Sequence, residues 1–288
     1  SLQWGDLYLA RSIRYELQKK NLRCNISVGE SEERRFSSRE DLALNLRGIE
    51  NVKRKNKQSF FTWFISHPEL YEIAELVESD NIAISSKIFK KKIEDLRSEV
   101  NDTKPLYIPQ FSTIKSPETR PEILCDFIFI GNTRNIYRES VKYAIKSGLD
   151  VKVIGSGWDK YISEKYILRN LVSNSELGSA YALGRVVLCD HWDDMKTFGF
   201  VSNRIYDCLS IGKPILTDYA RDIESDLTDH EKEYVFTYNS FEDFKVKSKD
   251  ALKFSNAILD SSNTLDSECA YKGLDMIADH LNRILTSQ

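Results

Sequence analysis

The sequence predicts an α/β protein built from two doubly wound domains that face each other across a cleft. Three observations carry this. Short apolar runs alternate with helical repeats, most regularly after residue 121. Runs such as "CDFIFIGN" (125–132) are almost continuously apolar, the pattern of parallel strands buried on both faces. Between the two series, residues 106–121 carry three prolines and several Ser/Thr and read as a linker. At 288 residues the chain is long enough for two ordinary cores, and no repeat of solenoid period or low-complexity tract interrupts it.

Taken in order, "LYLARSIRYELQKKN" places Leu9, Ala10, Ile13 and Leu17 at helical spacing against a charged face, with Asp6 as a plausible cap. "CNISV", "LALNLRG", "SFFTWFIS" and "NIAISS" read as strands, separated by polar or helical stretches such as "PELYEIAELVES". The second series runs strand "CDFIFIGN", helix "RESVKYAIKSG", strand "DVKVIG", helix "NSELGSAYALG", strand "RVVLCD", helix "NRIYDCLSIG", strand "KPILTD". "LDMIADHLNRILTSQ" closes the chain as a helix.

Composition excludes several classes of function. Lys and Arg total 41 against 44 Asp and Glu, a net charge of −3, and the basic residues are spread rather than striped, so nucleic acid is not an expected partner. The five cysteines, at 24, 125, 189, 208 and 269, form no CxxC pair; a disulfide framework or zinc site is not expected, and a reducing cytoplasm fits best. No apolar run approaches the ~20 residues that span a bilayer, and the start does not read as a signal peptide. Peripheral contact with the inner face of a membrane is left open. The opening "SLQWGD" lacks an initiator Met and suggests that more chain precedes it, within a larger multidomain protein.

Parallel α/β sheets bind ligands outside the carboxyl ends of their strands, so the strand-to-helix junctions are where function is expected. At "FIFIGNTRNIYRE", Gly131 ends a strand, Asn132 follows, and Arg134 and Arg138 lie one helical turn apart. They are either a diphosphate clamp or a solvated helix start. At "VKVIGSGWDK", Gly155 and Gly157 permit close backbone approach with Trp158 as a cover, although such glycines more often only make the turn. Ser173 and Glu176 have capping-box spacing. The richest junction is "CDHWDDMKTFGFVSNRIYDCLSIGKPILTD" (189–218). A helix starting near Ser202 or Asn203 offers free N–H groups to an anion, Arg204 adds a full charge, and Asp207, one turn on, is either a ribose-hydroxyl acceptor or an exposed helix carboxylate. "DHWDD" lacks a second, distant ligand set, so no metal site is expected. His67 follows "FFTWFI" and falls at the carboxyl end of a strand, where it either meets a substrate hydroxyl or caps the turn at Pro68. Asp6 either contacts an acceptor or caps its helix.

Together "WGD" (4–6), "ISHP" (65–68), "FIGNTR" (129–134), "GSGW" (155–158) and the 190–218 stretch resemble GT-B glycosyltransferases, specifically the CgeB-like group of spore-maturation type. The resemblance covers most of the chain in order, and its last piece is long and specific. It implies an enzyme that moves a sugar from a nucleoside-diphosphate donor to a glycan, lipid-linked or protein acceptor in bacterial surface polysaccharide or glycoconjugate assembly, by a retaining and metal-independent route and without a cofactor. It implies three parts: an acceptor-side domain over 1–120, a donor-binding domain over 121–267, and a helix over 268–288 that crosses back onto the first domain. Asp207 matches the carboxylate that closes the donor motif of related retaining enzymes, with Asp in place of the usual Glu. Asp193 or Asp194 stands for the earlier acid of that motif. GT-B folds begin with a strand and glycine-rich turn ahead of the Trp-Gly-Asp position, and that strand is expected upstream. Two rival readings remain: a sugar-nucleotide epimerase on the same fold, and a non-catalytic nucleotide-sugar-binding module.

Overall fold

A computed structural model of the chain describes residues 5–26, 42–49, 59–79, 81–98, 103–119, 121–219, 221–259, 265 and 267–286. The first half contains α1 (Gly5–Lys19), β1 (Leu42–Arg47), β2 (Ser59–Phe64), α2 (Ile73–Glu78), β3 (Asn81–Ile84), α3 (Lys87–Arg97) and β4 (Leu106–Tyr107). Its strands pair in parallel in the order β1-β2-β3-β4. The apolar stripe of α1 (Leu9, Ile13, Leu17) packs on Phe61 and Trp63 of β2, as its spacing predicts. On the other face, Phe64 and Ile84 meet Phe89 and Ile93 of α3.

The second half contains β5 (Cys125–Ile130), α4 (Glu139–Lys146), β6 (Val151–Ile154), β7 (Ile167–Arg169), α5 (Leu177–Ala182), β8 (Gly184–Cys189), α6 (Asp193–Phe198) and α7 (Asn203–Ser210). β9 (Ile215–Asp218), α8 (Ile223–Asp226), α9 (Asp229–Lys232), β10 (Val235–Tyr238), α10 (Phe241–Leu259) and α11 (Cys269–Thr286) complete it. The six strands are parallel in the order β10-β9-β8-β5-β6-β7. Successive residues of β5 face opposite layers. Phe127 and Phe129 pack with Trp158 and Phe244, while Ile128 and Ile130 pack with Ile205 and Leu209 of α7. The chain winds outward from β5 through β6 and β7, then returns to the other side of β5 for β8, β9 and β10. The switch point therefore lies between β5 and β8, and a crevice opens outside their carboxyl ends.

Residues 108–119 and 121–124 follow the first sheet and lead to the second, and α11 returns to the first half, where Ile277 and Leu281 join Leu9, Ile13 and Trp63. The linker is itself a bridge: Gln110 Nε2 donates to Ile65 O at 2.7 Å and to Val201 O at 3.4 Å. Asp222 Oδ2 accepts from the amides of Lys87 (2.7 Å) and Ile88 (3.1 Å) and from Ser86 Oγ (3.2 Å), so a second-half carboxylate caps α3. Beside it, Met195 and Phe200 enter the aromatic cluster of Phe64, Tyr71 and Phe89, and Phe198 packs against that cluster.

Several elements differ from the sequence reading. The linker begins with the two-residue strand β4, which finds partners only on the edge of β3. The loop expected at "HWDDMKTFG" contains α6, whose apolar side chains face the other half rather than their own core. The sequence reading left α3, α10, β7 and β10 unassigned. The strand expected over 24–28 is irregular through Asn25 and Ile26, and 27–28 lie outside the described residues.

Candidate functional site

At the end of β5 the chain turns sharply, with Arg134 and Asn135 both at positive φ (57° and 63°). This turn throws the Arg134 side chain over the Trp192 ring, 4.6 Å from its centroid. Arg134 and Arg138 are therefore not neighbours on a helix face, as their spacing suggested, because α4 starts only after Arg138. The Arg138 guanidinium is buried and paired with Asp190 at the end of β8, whose other oxygen accepts from Ser140 Oγ at 3.1 Å. Arg204 reaches from the first turn of α7 to Ile130 O (2.6 Å) and Cys189 Sγ (3.4 Å), lying across the Phe129 ring at 4.9 Å. Its Nε is buried without a partner. Three guanidiniums thus converge on the switch point with Asp190 as the paired carboxylate. Desolvation, then Arg138 and Arg204, pull Arg134 down to about 10, so it remains charged at neutral pH but lies in a repulsive field. An anion would relieve that field.

The N-terminus of α7 lies beside this cluster. Ser202 occupies the cap position, without a side-chain capping bond. Its amide donates inward to His191 Nε2 at 2.9 Å. The amides of Asn203 and Arg204 open the helix beyond it.

Across the cleft, His67 follows β2 in a left-handed conformation (φ 60°, ψ 58°). It precedes the turn at Pro68 without a side-chain capping bond. Its ring meets Trp192 edge to face at 5.5 Å, and Nδ1 lies 3.8 Å from Asp194 Oδ2. Burial lowers the His67 pKa, Asp194 partly opposes this, and Arg134 lowers it further. The imidazole is therefore neutral at neutral pH and can accept a proton. Of the two candidate acids on α6, Asp194 is buried and faces His67, while Asp193 is exposed. Asp194, His67, Trp192 and Arg134 form one continuous line from the first half to the second.

Other expected residues have mainly structural settings. A Cβ on Gly155 would lie 2.1 Å from Gly131 O, and one on Gly157 2.6 Å from Thr133 Oγ1, so the space these glycines leave is filled by the neighbouring turn rather than by a ligand cradle. Trp158 is not a cover: it is buried, with Nε1 bonded to Gly131 O at 2.8 Å and its ring against Phe129. Its indole is large and apolar and joins the core cluster of Phe127, Phe129, Val141 and Val153 on that face of the sheet. Asn132 Oδ1 holds the amide of Ser156 at 2.9 Å. Asp207 is not an exposed helix carboxylate. It is buried under the linker, with Oδ1 accepting from Ser112 Oγ at 2.9 Å and from Asn203 Nδ2 at 3.5 Å. Burial raises it to about 7, against hydrogen bonds from Ser112, the Thr113 amide and Asn203 and the charge of Arg204. Asp6 lies inside the first turn of α1, not at its cap, and its Oδ2 flanks Gly48 opposite Ser66, one residue from His67. Burial raises its pKa.

Sequence reasoning missed Asp190 and Asp218 as site residues, and treated His191 only as part of an acidic run. The available signal was that "VVLCD" and "ILTD" both end a buried strand in Asp, at the edge where ligands bind. Among the described residues no group of three or more His, Cys, Asp or Glu side chains is arranged to hold a metal ion, and no helix is long and apolar enough to cross a membrane.

Residues 134–256 match the family described as "Glycosyl transferase-like". The solved structure of AviGT4, a glycosyltransferase involved in avilamycin A biosynthesis, superposes with a TM-score of 0.51 at 13% identity, over 84% of this chain and 73% of that one. The chain has the GT-B fold. The pneumococcal O-GlcNAc transferase GtfA, solved with UDP and GlcNAc, gives 0.49 at 13% identity over 80% of this chain and 52% of its own. The T4 phage BGT with UDP-glucose gives 0.46 at 16%, over 78% and 74%. The GT-B chain described here thus spans about half the length of the pneumococcal protein. No curated protein sequence matches it. The matched span of this GT-B chain takes in the Arg134 turn, α6, α7 and β9, which together line the carboxyl edge of the second sheet.

Proposed function

We propose that this chain is a glycosyltransferase of the CgeB-like type. In this reading a nucleoside-diphosphate sugar binds at the β5/β8 switch point, and its sugar passes to a hydroxyl of a glycan, lipid-linked or protein acceptor held by the first half. One observation carries the reading. Arg134, Arg138 and Arg204 gather beside the N-terminus of α7, with Asp190 engaged by Arg138, and leave a concentrated positive field facing His67 and Asp194. A diphosphate supplies the missing anion. As the bond from the anomeric carbon to the phosphate oxygen breaks, charge grows on that oxygen, and Arg134, Arg204 and the amides of Asn203 and Arg204 stabilise it without reorganising. The acceptor oxygen forms the new bond, and its proton passes to the departing phosphate on a retaining, front-face route. The guanidiniums supply the neutralising charge that a divalent cation provides elsewhere. His67 and Asp194 orient the sugar hydroxyls at the junction of the two halves, and the closed interface excludes water. The acceptors belong to bacterial surface glycan assembly in this reading.

The test is a binding and turnover screen with UDP-, GDP-, dTDP- and CMP-linked sugars, with Arg134→Ala beside the wild type. One nucleoside diphosphate should bind, and Arg134→Ala should weaken it about 10- to 100-fold, the worth of a charge-assisted hydrogen bond. Donor isomerised without acceptor would make the protein an epimerase. Binding without turnover across acceptors would make it a binding module, and no binding at all would sink the reading.

A further inference from the structure

We infer that His191 is a positioning residue that sets the anion-binding end of α7, by holding the Ser202 amide from within the protein; this rests on the reading just given. His191 follows Asp190 at the end of β8, and its side chain is fully enclosed. Its backbone N–H donates to both oxygens of Asp218, 3.1 Å each, at the end of β9. Its Nδ1 lies 2.5 Å from Asp218 Oδ1, and its Nε2 lies 2.9 Å from the Ser202 amide nitrogen. The tautomer follows from chemistry. A backbone N–H can only donate, so Nε2 must be the acceptor and the ring proton must sit on Nδ1, where the carboxylate receives it. One imidazole therefore ties the end of β8, the end of β9 and the start of α7 into a fixed triangle.

The consequence for the donor is geometric. Helix starts offer their first amides to anions. Here the cap amide is already used, so the amides facing the diphosphate are those of Asn203 and Arg204, at a position fixed against the end of β8, whose Asp190 also pairs with Arg138. A loosened helix tip would move these donors relative to the guanidiniums, and an error of about 1 Å in such a constellation is enough to lose most of its effect.

Two substitutions separate the bonds. His191→Asn has an amide that reaches Asp218 from the Nδ1 position but is too short for Ser202. His191→Gln places a carbonyl near the Nε2 position and accepts from Ser202. In the full chain, the calorimetric Kd for whichever of UDP, GDP and dTDP the wild type binds should weaken at least tenfold in His191→Asn and stay within threefold in His191→Gln. Hydrogen exchange at the Ser202 amide should accelerate only in the first. Equal binding by both variants and wild type, or equal losses that merely follow the fall in Tm, would reduce His191 to scaffold and overturn the inference alone. Absence of nucleotide binding in the wild type would overturn both this and the glycosyltransferase reading. If both variants fail to fold, long-range nitrogen–proton NMR on the wild type still decides the matter. A proton on Nδ1 is expected, and one on Nε2 overturns the inference.

Discussion

His67 holds a left-handed backbone at a non-glycine position, a state that costs roughly 1–2 kcal/mol and persists only when its surroundings impose it. The ring it places against Trp192 and Asp194 is what that strain obtains. His67→Ala should lower turnover about 10- to 100-fold while nucleotide Kd stays within threefold, because in the proposed reaction the ring orients the sugar and not the diphosphate. Comparable losses in both would move His67 into donor binding. Because burial lowers its pKa, the acid limb that His67 imposes on the rate should fall below the ~6.5 of free imidazole. Asp207 carries the opposite shift. Raised to about 7 in the folded state, it is already ionised in the unfolded chain above ~3.9, so folding takes up a proton in that window and stability falls as pH rises through it. Asp207→Asn keeps an acceptor for Ser112 and removes the buried charge. Its Tm should exceed wild type at pH 8 by at least about 2 °C, the shift that ~1 kcal/mol gives in a chain of this size, and the difference should shrink at pH 5. A constant difference across pH would assign the effect to packing. Loss of nucleotide affinity in the same variant would support a ribose contact at this carboxylate.

Elements were legible where their repeat was long or their caps explicit. α1 and α11 show their stripes in the sequence, and α7 is framed by Ser202 and Gly212. α6 was not legible, because six residues make under two turns and Met195, Phe198 and Phe200 are apolar for the sake of a distant cluster at Phe64, Tyr71 and Phe89. β7 shows no alternation, since Leu168 and Arg169 are both exposed at the sheet edge. The turns after β5 and β6 pack against each other, and a Cβ on Gly155 would meet the Gly131 carbonyl oxygen at 2.1 Å. Gly155→Ala should therefore cost about 1–3 kcal/mol in denaturant titration, and it should weaken donor binding beyond that by displacing the Arg134 turn. A neutral result would show that this turn yields easily and is not what fixes Arg134.

At the scale of the whole molecule, the halves are joined by side chains of one half that bond to the other. Asp222 caps a helix of the other half, Lys87 pairs with Asp226 at 2.6 Å, and Gln110 spans both halves. Asp222→Ala should remove about 0.5–2 kcal/mol of capping energy and enlarge the radius of gyration seen by small-angle scattering. It should lower turnover more than nucleotide affinity, since opening separates His67 from Arg134 while leaving the donor edge intact. An unchanged radius and rate would assign closure to the aromatic cluster alone. The sequence by itself determined the α/β class with parallel sheets, the helix at 203–210 and the junctions worth searching, because these are written in local periodicity and turn chemistry. Only the tertiary structure decided that β5 and β8 are neighbours, that Arg138 is consumed by Asp190 while Arg134 is not, and that His67 meets Asp194. Those facts depend on strand order and on contacts between residues 50 to 130 positions apart, and no local pattern in a single chain encodes which distant carboxylate a given arginine will find.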